Sequence, residues 1–454
     1  MGLKRNKFKK KYKKGLKRAF FYLLMFYKAY ICLLIKIVLK NTNMKKLKVL
    51  VVPSDRTGVS YFRSTNPHIA LENKYPNEFH IDVDYEPQLN NDAWLKQYDI
   101  IHYHRNIGAY EQMEALVKKF NDLGIVSIMD LDDHWAPGPH HPAYHLIKNA
   151  EIDKKILNNL KVAENVTTTT SIFASEIGKY NKNVFVLPNA VDPKEKQFTP
   201  NLEKSDRIRI GWLGGSSHLK DLEILNGVVG RLKADGLMDK VQFVLCGFDV
   251  RGTHTVIDNV TKEQKTRPIT PMESVWFKYE KIFTDDYKTI SPEYKDFLMK
   301  FTMDEYPNIA NEAYRRVWTK PISTYASNYN LFDISLAPIE DNIFNKVKSQ
   351  LKVIEAGFHH KAIIAQNFGP YQIDLKNAIQ YGGGFDMTAN GILIDSNKNH
   401  KDWYAAIKKL ILNPEVVIAL QENLYETVKD TYSMDKVTDD RRALYLDLVS
   451  KLKK

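Results

Sequence analysis

Short apolar runs separated by polar turns recur along the chain. KVLVV (48–52), DIIHYH (99–104), IVSIMD (125–130) and NVTTTT (165–170) are rich in β-branched residues and bounded by turn formers, which predicts buried strands. FHIDVDY (79–85) alternates apolar and polar positions, and NVFVLPN (183–189) adds a further strand. Between them, residues 59–74, 110–123 and 146–163 read as helices. Strands alternating with helices imply a parallel sheet with crossover connections. QFTPNLEKSDR (197–207) reads as a linker, after which the pattern restarts. IRIGWL (208–213), a helix over 219–234, VQFVLCG (241–247), FDISLAP (332–338), a helix over 346–356, AIIA (362–365), GILID (391–395) and a helix over 402–412 follow in order. The stretch at about 250–325 is aromatic and charged without clear periodicity, and reads as an insertion in the second half.

The expected architecture is α/β, with two Rossmann-like parallel-sheet domains facing a central cleft. Residues 45–200 form the first domain and 201–430 the second, and a helix near 436–451, within 431–454, packs back on the first. Ahead of them, residues 4–18 are a basic run and AFFYLLMFYKAYICLLIKIVL (19–39) is apolar. That stretch has the length of a membrane span, but Lys28 interrupts it near the middle, where a charge costs several kcal/mol. On a helix Lys17, Lys28, Lys36 and Lys40 share one broad side. Residues 1–44 are therefore expected to form a basic amphipathic helix lying in an anionic membrane surface, on its cytoplasmic face. A snorkelling transmembrane anchor is one alternative, and translation from Met44 another. A cleaved signal peptide is disfavoured, since no small-residue cleavage site follows.

Charge sharpens this division. The formal net charge is +12, yet residues 1–46 hold 15 Lys/Arg and no acidic residue, leaving 51 basic against 54 acidic residues elsewhere. The high isoelectric point belongs to the tail, so the body carries no signal for nucleic-acid binding. The two cysteines, Cys32 and Cys246, lie in different segments, which argues against a disulfide framework.

Five stretches carry candidate chemistry. In IRIGWLGGSSHLKDL, Gly214, Gly215 and Ser216 follow a strand and open a helix with Lys220. The GxxGG spacing matches neither the dinucleotide nor the P-loop motif. Backbone N–H groups at a helix start, with a lysine, still suit an anion. In NIFNKVKSQLKVIEAGF, Lys348, Lys352 and Glu355 fall on one helical side, suited to a diphosphate and the hydroxyls of a ribose. IMDLDDHW places Asp130, Asp132 and Asp133 at a strand's carboxyl end, where α/β folds hold ligands. A metal site and a dehalogenase-like phosphatase motif are the rival readings; His134 departs from the latter. His134, His140, His141 and His145, with His102 and His104 upstream, read as a polar cleft loop rather than a metal site. DRTGVSYFR offers Gly58, Tyr61 and Arg63 at another strand end.

Together these pieces resemble the GT-B glycosyltransferases, specifically the retaining glycosyltransferase family 4. LPNAVD (187–192), IGWLGGSSHLKDL, KSQLKVIEAGFHHKAIIAQNFGPY (348–371), NGILID and DWYAAIKKLILNPE are similar to that family's blocks, in its order, and GVSYFR and MDLDDHW are similar to one branch. The likeness covers about residues 47–440 apart from the insertion. It implies transfer of a sugar from a nucleotide-diphosphate sugar to a glycan or lipid-linked acceptor, with retention, domain closure and no metal or cofactor. Gly214, Gly215, Ser216, Lys220, Lys348, Glu355 and Gly369 would bind the donor. Gly58, Tyr61, Arg63, Asp133 and His134 would meet the acceptor, and Asp130, Asp132 and His104 would carry catalysis. One departure stands out. The family's Glu–x7–Glu pair keeps its second member as Glu355, but Val347 occupies the place of the first, with Glu340 or Asp341 as substitutes. A sugar-nucleotide epimerase and a non-catalytic glycan-binding relative are the alternatives.

Overall fold

The computed structural model describes residues 46–201, 205–249, 252–257, 264–270, 273–285, 313–395 and 399–452. The expected membrane-associating segment lies outside them. Strands β1 (Leu47–Val52), β2 (Phe79–Val83), β3 (Ile100–His104), β4 (Val126–Leu131), β5 (Asn165–Thr168) and β6 (Val184–Val186) build the first sheet. They are all parallel, in the order β2-β1-β3-β4-β5-β6. The second half contributes β7 (Ile208–Leu213), β8 (Val241–Phe248), an antiparallel hairpin of β9 (Thr253–Ile257) and β10 (Gln264–Pro268), then β11 (Tyr314–Trp318), β12 (Ile334–Ala337), β13 (Ala362–Gln366) and β14 (Ile392–Ile394). Its parallel sheet runs β11-β8-β7-β12-β13-β14. The direction in which successive strands are added reverses between β1 and β3 in one sheet and between β7 and β12 in the other. Such switch points leave a crevice beyond the strands' carboxyl ends.

The strands are buried on both faces, as their unbroken apolar runs require. Val49, Leu50 and Val51 are fully buried, as are Ile100, Ile101, Ile363 and Ile364. The stretch read as an insertion is tied into this core. Within it β11 forms the edge of the second sheet, and helix Val275–Thr284 packs Trp276, Tyr279 and Phe283 against β7 and β8. A buried Arg316–Glu280 pair, with Tyr314 donating to Glu280 at 2.7 Å, holds that helix to the edge strand. The residues read as a linker also begin as docked chain. Gln197 and Phe198 are buried, and Gln197 donates to Tyr61 at 2.9 Å.

Helix Met434–Leu452 crosses back to the first lobe, where Tyr445, Leu448 and Val449 join Val49, Val51, Leu71 and Phe79 in one cluster. Tyr445 also reaches His68 Nε2 at 2.7 Å, and Arg442 pairs with Glu78 at 2.7 Å. No described helix is long and apolar enough to cross a membrane.

Truncating Tyr445 to Ala leaves a cavity and strips His68 of a partner, so the unfolding free energy should fall by about 3–5 kcal/mol. An exposed position on the neighbouring helix, Ile418→Ala, should change it by less than about 0.5 kcal/mol. Urea denaturation of the two variants checks both values.

Candidate active site

The loops at the facing sheet ends enclose a cleft of about 850 Å³. From the first lobe it is lined by Arg56–Val59 after β1, by Phe62 and Arg63, and by Asp132 and Asp133 after β4. From the second it is lined by the turn after β7, Gly247 ending β8, Thr319 and Lys320 after β11, and Lys348, Lys352 and Glu355.

The glycine turn is shaped from behind. Gly247 has φ +99°, and a Cβ there would lie 2.5 Å from the carbonyl oxygen of Gly214. A Cβ on Gly214 would strike the Trp212 ring at 2.5 Å, whereas Gly215 faces open space. Tyr279 accepts from the His218 backbone N–H at 2.9 Å and donates to the Gly215 carbonyl at 3.3 Å. His218 Nδ1 meets Asp221 at 2.7 Å, and the other oxygen of Asp221 accepts from the Glu340 N–H at 2.7 Å and Asn345 at 3.1 Å. Asp221 thereby ties the turn after β7 to the loop after β12.

Lys220 is not part of this arrangement. It is exposed, pairs with Glu223 at 2.7 Å and does not line the cleft. The cations that do are Lys348 and Lys352. Lys348 precedes its helix rather than lying on it, because the helix runs Leu351–Phe358. The intervening turn buries Val347 in the apolar cluster of the first lobe. A glutamate at that position would have to give up its water there, a physical reason for its absence. Neither substitute lines the cleft: Glu340 accepts from Asn342, and Asp341 is exposed. Lys352 donates to the Leu213 carbonyl and lies 5.1 Å from the centre of the Trp212 ring. Glu355 is buried and accepts from the hydroxyls of Tyr325 and Tyr329. Burial raises the Glu355 pKa against the lowering effect of both tyrosines and Lys352, and burial lowers that of Lys352.

On the first lobe, residues Tyr61–Thr65 form a π turn that directs Phe62, Arg63 and Ser64 inward. Arg63 makes a two-pronged pair with Asp130, at 3.0 and 2.7 Å, and donates to the Leu187 carbonyl at 2.7 Å. Thr167 donates to Asp130 at 2.7 Å as well. Asp130 is fully buried beneath Arg63 and does not reach the cleft, so its geometry is that of a structural anchor. Asp132 does line the cleft, held by His104 Nε2 at 2.8 Å and Arg105 at 3.1 Å. Burial pushes its carboxyl up, but His104 and Arg105 outweigh this and hold it well below the usual range. Burial and the neighbouring Asp132 raise Asp133. His104 stands behind Asp132, with its Nδ1 on Ser54 at 2.8 Å.

Of the remaining expected site residues, Gly58 lines the cleft. Tyr61 turns away to Glu195 and Gln197. His134 stacks on Trp135 at 4.1 Å, outside the cleft. Gly369 does not line it; a Cβ there would lie 2.8 Å from the Lys346 carbonyl oxygen, so it backs the turn that carries Lys348. Ser216 is exposed, and Ser217 lines the cleft instead. His141 reaches the opposite lobe, 5.2 Å from Phe344. Among the described residues no three His, Cys, Asp or Glu side chains gather to hold a metal ion.

No family model matches the chain, and no curated protein matches it. Solved structures do. The HepE protein of Anabaena, in complex with UDP and glucose, aligns with a TM-score of 0.52 at 10% identity, over 89% of this chain and 100% of that one. A glycosyltransferase from Rickettsia africae gives 0.53 at 14% identity, over 89% and 99%. A UDP-forming α,α-trehalose-phosphate synthase from Burkholderia vietnamiensis gives 0.53 at 8% identity, over 90% and 98%. The shared fold is GT-B.

Two stability measurements test these assignments. Arg63→Met alone leaves the Asp130 charge buried without its partner and should cost about 3–5 kcal/mol; Arg63→Met combined with Asp130→Asn should recover much of that in urea melts. The second concerns pH. The raised Glu355 pKa favours folding in acid, an advantage lost as pH rises through its folded value. The depressed Lys352 pKa favours folding in alkali, an advantage lost as pH falls through its folded value. Near neutrality Glu355, raised to about 7, is about half ionised and Lys352, lowered to about 8, is mostly protonated, so both carry much of their desolvation cost. Lys352→Met with Glu355→Gln should therefore raise the melting temperature at neutral pH, as read by calorimetry.

Proposed function

We propose that the protein is a glycosyltransferase, moving a sugar from a nucleoside-diphosphate sugar to a hydroxyl of a glycan or lipid-linked acceptor. The observation that carries this reading is the convergence, on one wall of the interlobe cleft, of the Gly214–Gly215 turn, Lys348, Lys352 and Glu355. HepE of Anabaena, similar in fold, was solved with UDP-glucose, which supports a donor of that chemistry. The reading also takes from the resemblance to glycosyltransferase family 4 that the configuration at the anomeric carbon is retained and that Glu355 accepts from the donor ribose.

In this reading Lys348 and Lys352 offset the charge that builds on the diphosphate as its bond to the anomeric carbon breaks, in a pocket where low dielectric strengthens the interaction. Free backbone N–H groups of the glycine turn add hydrogen bonds to the same anion. The acceptor enters against the first lobe. Asp132, kept ionised by His104 and Arg105, accepts from an acceptor hydroxyl and orients it toward the donor. The basic segment 1–40 brings the enzyme to an anionic membrane surface that holds the acceptor.

Calorimetric titration with UDP tests the donor site. Lys352→Ala and Glu355→Ala should each weaken binding by about tenfold or more, since each removes a partner of charge-assisted hydrogen bonds in a buried setting. Lys220→Ala should change it by less than about twofold, as expected for an exposed pair. Equal losses in Lys220→Ala and Lys352→Ala would place the anion on the helix side of the turn and overturn the assignment.

A further inference from the structure

Glu355 is a buried carboxylate whose fixed partners are two phenols. Tyr325 donates to one oxygen, and Tyr329 to the other at 3.0 Å. Both tyrosines belong to the tight helical segment Tyr325–Leu331. Each phenol is itself held in place. Tyr329 stacks on His359 with ring centres 5.1 Å apart, and His359 bonds the Glu355 carbonyl at 2.8 Å and that of Gln197 at 2.9 Å. Tyr325 meets Phe62 of the first lobe edge-on at 6.5 Å and lines the cleft beside Glu355. Among the described residues no lysine or arginine forms an ion pair with Glu355.

This arrangement has a chemical consequence. A lysine or arginine in contact would neutralise the carboxylate and compete for its lone pairs. Two phenols instead fix the plane of the group, add no opposing charge, and leave acceptor capacity on each oxygen. A carboxylate held in that way suits two adjacent hydroxyls. We propose that Tyr325 and Tyr329 are positioning residues for the donor: they hold Glu355 with both oxygens presented to a vicinal diol, and so select a ribonucleotide over its 2′-deoxy counterpart. This inference rests on the cleft being a nucleotide-sugar site.

The surrounding charges define what pH should do. Lys352 acts on Glu355 from its own helix, and Lys348 and Asp221 act in turn on Lys352. Tyr61 lies beside Tyr325, and Tyr371 and Cys246 lie behind Tyr329, together with the stacked His359. Burial raises the carboxyl pKa, and the hydrogen bonds from Tyr325 and Tyr329 act in the opposite direction. Removing a phenol oxygen while keeping the ring moves the carboxyl further up. A smaller fraction of Glu355 is then ionised at neutral pH, and the acid limb of nucleotide binding shifts to higher pH.

The test is titration of the full chain with UDP and with 2′-deoxy-UDP across acid to alkaline pH, for the unaltered protein, Tyr325→Phe, Tyr329→Phe, the double variant and Glu355→Gln. The double variant should bind UDP roughly tenfold more weakly at neutral pH, for two lost hydrogen bonds to a charged group. It should regain most of that affinity in alkali and prefer UDP over the deoxynucleotide less. Recovery in alkali also shows that the fold is intact. In turnover the KM for the donor should rise while kcat at saturation holds. Unchanged affinity and acid limb in both single variants and the double, with Glu355→Gln impaired, would overturn this inference alone. Failure of the unaltered protein to bind either nucleotide would overturn the donor-site reading beneath it.

Discussion

Two parallel sheets that point their carboxyl ends at one another impose the constraint from which the site follows. Every strand must leave its sheet on the side of the gap, so every loop between a strand and its following helix projects there. In each sheet the direction in which strands are added reverses once, between β1 and β3 and between β7 and β12, and the loops part at that point. The cleft forms where the two partings meet. Its walls are built from residues at or just beyond the ends of β1, β4, β7, β8, β11 and β12, the last contributing Lys348, Lys352 and Glu355, and not from any one contiguous segment.

Within that gap the cost of burying charge decides which side chains take part. Arg63 and Asp130 satisfy each other, and their remaining donors and acceptors go to Leu187 and Thr167. The pair is thus consumed in joining the π turn to the sheet. Lys352 and Glu355 have no such mutual closure. The lysine is supported by a carbonyl oxygen and an aromatic face, the carboxylate by two phenols. Groups supported by neutral partners keep their charge for something else. That contrast separates structural charges from those a ligand can use.

Much of the fold was legible. Runs such as KVLVV and IVSIMD became β1 and β4 within a residue or two, since a strand buried on both faces has to be apolar throughout. Helices were less sharply bounded. The span 146–163 breaks at Glu151, which has φ 52°, and the span 219–234 breaks at Gly227, with φ 97°. The stretch at 250–325 hid β11, whose YRRVW breaks the apolar pattern with two adjacent arginines, because Arg316 is buried against Glu280. A buried ion pair looks like a surface pattern until its partner is known. Tyr325 and Tyr329 were missed for a related reason: an aromatic in a segment without period carries no mark of what its hydroxyl meets.

The sequence by itself determined two α/β halves, the strand ends that matter, and the stretches from which a site would be drawn, because burial periodicity and turn chemistry are properties of neighbouring residues. It did not determine which member of each stretch reaches the gap. Lys352 rather than Lys220, Asp132 rather than Asp130, and Arg63 rather than Tyr61 line the cleft. Each choice depends on what the side chain meets: Glu223 captures Lys220 within its own helix, whereas Arg63 captures Asp130, Glu195 draws Tyr61 away, and the Leu213 carbonyl and His104 hold Lys352 and Asp132 at the cleft. Apart from Glu223, these partners lie far along the chain and are brought close only when each sheet folds; the side chains left open share one cleft only because the two sheets face each other.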